Sequence, residues 1–310
     1  REVKSLRKLN HANIIKLKNV VRENCTLYIV FEYMDSNLHQ LMMNHKSRLT
    51  EEQVKKWCLS VIQGLAYMHQ RGYYHCDLKP ENLLVSNDVI KIGDLGLAQE
   101  INSLPPYADY IGTRWYRAPE MLLHATPYTS AVDMWAMVAI MAEMFTLSPV
   151  FPGIDEVDQM ERICSVIGTP TESTGSHGLD LAPGMNYELP RLPGVSFSKL
   201  MPSASEEAIN LIERLCSWDP RKRPTAIEAL RHPFFRNCLK VPPGFPSRVA
   251  AAQKKDANTK TAEKLGKMKV NDRWHTAAYG PVAAPMKAGG LFTPLNEHVW
   301  QESSRMMQGF

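Results

Sequence analysis

Eight residues, His-Cys-Asp-Leu-Lys-Pro-Glu-Asn at 75–82, constrain this chain most, because regular structure is signalled on both sides of them. Upstream, Thr50-Glu51-Glu52-Gln53 reads as a capping box, and Val54, Trp57, Cys58, Val61, Ile62 and Leu65 form one apolar stripe at helical spacing. Gly72 suits the stop of that helix. Downstream, Leu83–Val85 and Val89–Ile92 read as short strands around the tight-turn pair Asn87-Asp88, followed by a polar loop to Pro119. The octapeptide is thus a loop held between a helix and a strand pair, from which side chains can project.

Phosphoryl transfer to a hydroxyl needs an acceptor for the hydroxyl proton, a cation near the transferred phosphate, and metal ligands. Asp77, Lys79 and Asn82 supply one of each. Asp94-Leu95-Gly96 adds a carboxylate just after a strand, where a magnesium ion bridging phosphates takes a hard oxygen ligand. Ala118-Pro119-Glu120 is a third short word. Singly each is weak, since an Asp in a loop is usually a turn former. Their order and spacing together are not.

In that order the three words resemble the protein-kinase signature. Thr113-Arg114-Trp115-Tyr116-Arg117, Phe151-Pro152-Gly153 and Ile167-Gly168-Thr169-Pro170 resemble the proline-directed branch that holds cyclin-dependent and MAP kinases. Within it the likeness is to the MAK/MOK/ICK group and its plant cyclin-dependent-kinase-F relatives, over roughly residues 1–235. The resemblance implies an α+β protein-kinase fold, with a truncated N-terminal β lobe and a mainly helical C-terminal lobe. On this reading residues 1–34 are the remnant of the smaller lobe and the hinge, and 35–236 the larger lobe.

The likeness implies ATP and Mg2+ as cofactors and assigns roles position by position. Asp77 matches the catalytic base, Lys79 the phosphate contact of Ser/Thr kinases, and Asn82 and Asp94 the metal ligands. Glu2 matches a helix glutamate that pairs with a nucleotide-binding lysine. Phe31, Glu32, Tyr33 and Met34 resemble the gatekeeper and the hinge that binds adenine, with Leu84 beneath the ring. Phe31 reads equally as strand core, and either role buries it. Tyr110, Thr113, Arg114 and Arg117 fall in the activation segment, where Arg117 implies a pocket favouring proline after the target residue. Asp133 and the pair Glu120 with Arg223 resemble buried anchors, whose charges need partners.

Several positions depart from the pattern. No G-x-G-x-x-G and no strand lysine precede Glu2, so the chain start reads as truncated and weak Mg-ATP binding by these 310 residues alone is expected. The strand at Leu27–Phe31 is then expected to expose an edge. Cys76 stands where the family has an arginine, Ala108 where the group has a phosphoacceptor threonine, Leu95 where a Phe is usual, and Val138 where a Gly is common. These changes motivate an alternative reading, a catalytically weak or silent kinase-like binding module or truncated fragment.

With 44% hydrophobic residues the chain can build one substantial core and a smaller second unit. A net charge of +4, with both signs interspersed, does not imply nucleic acid as a partner. The longest apolar run, Met134–Phe145, carries Glu143 and reads as a buried helix rather than a membrane span. Six cysteines without C-x-x-C pairs or zinc spacing indicate reduced thiols, which suits cytoplasm and nucleus. Beyond Pro242-Pro243-Gly244 the composition turns Ala-, Lys- and Gly-rich, so 237–310 is expected to be a mostly disordered tail. The expected partners are protein substrates with Ser/Thr-Pro sites and an upstream activating kinase.

Overall fold

The computed structural model describes residues 6–24, 26–44, 49–100, 114–124, 129–171, 189–236 and 238. Residues 6–8 are helical, with Leu6 and Leu9 buried. Two antiparallel strands follow, β1 (Leu17–Glu23) and β2 (Thr26–Phe31), with Glu23 opposite Thr26 and Asn24 in the left-handed region at φ 52. Among the described residues β2 pairs with β1 alone, and Leu27, Tyr28 and Val30 stand exposed on it.

Past residues 32–35 the chain enters β3 (Ser36–Asn37) and helix α1 (Leu38–Asn44). Asn37 and Gln40 cap that helix reciprocally: each side chain accepts the other's backbone N–H, at 2.8 and 3.1 Å.

Helix α2 (Glu51–Gln70) carries the expected capping box, with the Gln53 N–H donating to Thr50 Oγ1 at 3.3 Å and the Thr50 N–H to Gln53 Oε1 at 3.0 Å. Its whole predicted apolar stripe is buried, and it packs against the helices at Ala131–Thr146 and Ala226–Leu230 and the strand at Val89–Ile92. Gly72, at φ 79, donates to the His69 carbonyl and closes the helix. Thr50→Ala is expected to destabilise the fold by about 1 kcal/mol, read as an earlier midpoint in chemical denaturation.

Strand β4 (Tyr73–Tyr74) leads into the octapeptide, and β5 (Leu83–Ser86) and β6 (Val89–Ile92) form the hairpin behind it. Asn87 and Asp88 both have positive φ, the signature of the two-residue turn whose twist matches a hairpin. β3 pairs with β5, placing Asn37 opposite Leu84. One expectation is corrected: the stretch after Ile92 is not one polar loop. It holds a 3-10 turn at Leu95–Leu97 and a short strand, β7 (Gln99–Glu100), which pairs with β4. Two-residue strands carry no periodicity, so only the folded partner reveals them.

From residue 114 onward the described chain is helices and loops. They are α3 (Pro119–Leu122), α4 (Ala131–Thr146), α5 (Glu156–Ile167), α6 (Phe197–Leu200), α7 (Glu206–Leu215) and α8 (Ala226–Leu230). Every residue of α4 from Val132 to Phe145 is buried, as its largely apolar sequence predicts, and the charged Asp133 and Glu143 are buried with it. Val138 is packed there at 1% exposure. No helix among the described residues is long and apolar enough to cross a membrane.

Candidate active site

The octapeptide is held from below by one carboxylate. Asp133, in the first turn of α4, is 1% exposed; its Oδ2 accepts the His75 N–H at 2.8 Å and its Oδ1 the Cys76 N–H at 2.9 Å. His69 Nε2, at the end of α2, lies 2.8 Å from the same Oδ2. Burial alone would raise the Asp133 carboxyl, but the His69 hydrogen bond and the histidine charges and N–H outweigh it, and the carboxyl lies below its ordinary value. Cys76 sits at φ 68, a region that costs a non-glycine residue energy, so Asp133 fixes a strained turn just before Asp77.

His75 locks the turn from the other side. Its Nδ1 accepts the Asp77 N–H at 3.3 Å, which leaves Nε2 as the protonated nitrogen donating to the Gly93 carbonyl at 2.9 Å. The Gly93 N–H in turn donates to the Asn82 carbonyl at 2.8 Å. Residues 75–77, 82 and 93 thereby form one hydrogen-bonded frame, and Asp94 follows it directly.

Three predicted site residues meet inside this frame. Lys79 Nζ lies 2.8 Å from Asp77 Oδ2, and Asn82 Nδ2 donates to the Asp77 carbonyl at 2.9 Å and to Asp77 Oδ2 at 3.3 Å. The Asp77 and Lys79 side chains are only 9% and 17% exposed, so their attraction is poorly screened. Asp94 adopts a left-handed conformation, φ 50 and ψ 72, with Oδ1 accepting the Gly96 N–H at 3.3 Å. Leu95 is fully buried beside it, so the apolar exchange from Phe costs the site no burial.

The donor set fits a magnesium ion. With its NH2 group donating to Asp77, Asn82 has its amide oxygen left for a cation, and Asp94 is an exposed carboxylate. Among the described residues no three His, Cys, Asp or Glu groups gather as a self-sufficient metal cage. Mg2+ suits that economy, since it binds through one or two protein oxygens with phosphates and water completing its shell.

The expected base-binding residues also converge. Phe31, Glu32, Tyr33, Met34 and Leu84 line an open pocket of about 440 Å³. Phe31 corrects the expectation of full burial: it is half-buried, because its ring borders this opening as well as the core.

The anchors are paired as their charges require. Arg223 donates to both oxygens of Glu120, at 2.7 and 2.8 Å, and to the Ala131 and Ser217 carbonyls. Its guanidinium stands over the Trp135 ring at 4.9 Å. Arg114 Nε lies 3.9 Å from Glu156 Oε1, its carbonyl accepts the Arg117 N–H, and the neighbouring Trp115 indole donates to the Gly153 carbonyl. Glu2, Ala108, Tyr110 and Thr113 lie outside the described residues, as does nearly all of 237–310.

Sequence reasoning missed three groups. His69 carries no motif, although its place at the end of a helix stripe was visible. Lys91 reaches Glu32 at 2.6 Å. Glu143 is buried in α4 and accepts the Tyr116 hydroxyl at 2.7 Å; its only sequence signal was being the lone charge in the apolar run Met134–Phe145. Burial pushes the Glu143 carboxyl up to about 7, the Tyr116 hydrogen bond tempering the rise and nearby Glu81 adding to it. Because this pKa exceeds its unfolded value, the folded state holds the extra proton. Stability attributable to Glu143 is therefore fully present below the unfolded value near 4.5 and is lost as pH rises through about 7. Glu143→Gln is accordingly expected to melt at a higher temperature than wild type at pH 8, by a margin that shrinks at pH 5.

A family model described as "Protein kinase domain" matches residues 1–235. Cyclin-dependent kinase F-4 of Oryza sativa subsp. japonica is 56% identical over 254 residues, covering 82% of this chain and 55% of that protein. Serine/threonine-protein kinase MAK of Mus musculus is 51% identical over 237 residues, 76% of this chain and 38% of that protein. Serine/threonine-protein kinase ICK of Rattus norvegicus is 48% identical over 262 residues, 84% of this chain and 41% of that protein. The chain thus spans about half the length, or less, of these curated relatives.

Proposed function

The chain belongs to the protein kinase family, and on that footing we propose that the protein transfers the γ-phosphate of Mg-ATP to serine or threonine hydroxyls of protein substrates. The observation that carries the reading is the frame that brings Asp77, Lys79 and Asn82 together beside Asp94.

In the reaction the substrate hydroxyl passes its proton to the Asp77 carboxylate as its oxygen bonds to the γ-phosphorus. The bond from that phosphorus to the bridging oxygen breaks, and its electron pair leaves with ADP. Lys79, held against Asp77, offsets negative charge on the transferred group. Mg2+, when held by Asn82 and Asp94, would neutralise charge on the phosphates. The pocket lined by Phe31, Met34 and Leu84 takes the adenine ring.

The finer clauses rest on the family likeness. Substrates carry proline after the target residue, read with the help of Arg117, and the protein works in cytoplasm and nucleus. Residues 35–236 form the catalytic lobe and 237–310 a tail. Cys76 cannot grip a phosphate as an arginine does, and Ala108 cannot accept one, so activity is weak and does not depend on threonine phosphorylation in the activation segment. Restoring both, as Cys76→Arg with Ala108→Thr, is expected to give a phosphorylation-dependent gain larger than the sum of the two single variants. The test of function is transfer of labelled γ-phosphate by the full-length protein to paired Ser-Pro and Ser-Ala peptides. Label on both alike removes the proline clause, and label on neither removes the enzyme reading.

A further inference from the structure

The segment that links β2 to β3 is tied to the β5–β6 hairpin at both ends. At its start, Glu32 Oε1 lies 2.6 Å from Lys91 Nζ, and Lys91 stands directly opposite Leu84 across the hairpin. The same oxygen accepts the Lys16 N–H at 2.8 Å, while the Glu32 N–H donates to the Lys16 carbonyl at 3.0 Å. At its end, Asp35 accepts a short hydrogen bond from the Ser86 hydroxyl, two residues beyond Leu84. Tyr33 and Met34, suspended between the two ties, line the same pocket as Leu84.

The first tie is strong enough to matter. The Lys91 and Glu32 side chains are 17% and 21% exposed, so solvent and salt screen the pair less than a surface ion pair. Burial acts to raise the Glu32 carboxyl, yet the hydrogen bonds from Lys91 and Lys16 and the lysine charges outweigh it, and the carboxyl lies below its ordinary value. The second tie, between exposed Asp35 and half-buried Ser86, joins one charged and one neutral group and is the lesser one. A flat aromatic base held between a backbone wall and the Leu84 side chain binds only if the two stand at the right separation. A wall ordered in advance removes a penalty that binding would otherwise bear.

We propose that Lys91 is a positioning residue for the nucleotide base: through Glu32 it fixes the wall at Tyr33 and Met34 against the hairpin that carries Leu84, with Ser86 as a secondary anchor. The proposal rests on the kinase reading, because the base it positions is the adenine of ATP. Lys91 need not touch nucleotide; it acts through Glu32, so its loss weakens binding without altering the transferring groups at Asp77 and Lys79.

The test compares Lys91→Met, Lys91→Arg and Ser86→Ala with wild type in the full-length protein. Lys91→Met is expected to raise KM for ATP about tenfold, with kcat within roughly twofold and KM for the peptide unmoved. Lys91→Arg keeps the ion pair and is expected to restore KM to within about threefold, and Ser86→Ala to give a smaller rise than Lys91→Met. An unchanged KM for ATP in Lys91→Met, or an equal fall in kcat, overturns the proposal. Amide exchange of nucleotide-free protein gives a reading independent of turnover: residues 33–35 are expected to exchange at least about fivefold faster in Lys91→Met, with α2 unaffected. Unchanged exchange there also overturns it, even if wild type transfers no phosphate and the kinase reading has failed. If Lys91→Met does not fold, Glu32→Gln, which keeps the acceptor for Lys16 but discharges the pair, carries the same expectations.

Discussion

Asp77→Asn is expected to lower kcat of the full-length protein about a hundredfold to ten-thousandfold while leaving the affinity for Mg-ATP within roughly twofold. Asparagine matches the carboxylate in shape and its amide oxygen can still accept from Lys79 and Asn82, so the frame built on His75, Gly93 and Asp133 persists. What it cannot do is take the hydroxyl proton. The loss therefore falls on the transferring complex and not on nucleotide binding. Steady-state kinetics beside a direct nucleotide titration separate the two, and an equal loss of turnover and affinity would show that Asp77 is structural.

Arg223→Met is expected to destabilise the fold by about 3–5 kcal/mol, because it strands the buried Glu120 carboxylate. At this domain size that is a fall in melting temperature of roughly 6–20 °C. Discharging the partner as well, in Glu120→Gln with Arg223→Met, should recover part of the loss, since no unpaired buried charge then remains. Recovery should be incomplete, because Arg223 also serves the Ala131 and Ser217 carbonyls and covers the Trp135 ring. A double variant no more stable than Arg223→Met would mean that packing and the carbonyl bonds, rather than the stranded charge, dominate.

The parts of this molecule that were legible in the sequence are those whose cause lies within a few residues. The Thr50 cap, the stripe from Val54 to Leu65 and the Asn87-Asp88 turn are local chemistry, and each stands in the structure where its pattern places it. The run through Met134–Phe145, apolar but for Glu143, likewise had no stable place but the core. The octapeptide at 75–82 and Asp94 were readable as chemistry because loop residues of such types in that order are hard to explain otherwise.

Other features depend on groups that meet only when the chain folds. Nothing near position 133 says that its carboxylate will hold the backbone of residues 75 and 76, and nothing near 91 points to Glu32, 59 residues away. The Tyr116–Glu143 bond and the β4–β7 pairing are of the same kind. The Phe31 side chain was expected to be buried, as gatekeeper or as strand core, and is instead half-buried between core and pocket, because its surroundings are set by Leu84 across the fold. The sequence alone determined where the long helices and the Asn87-Asp88 hairpin form and which side chains can do chemistry, since propensity, capping and residue type act over a turn or two of chain. Only the tertiary structure decided which of those side chains share a site and with what charge, because hydrogen bonding and desolvation depend on distance through space, which sequence separation does not measure.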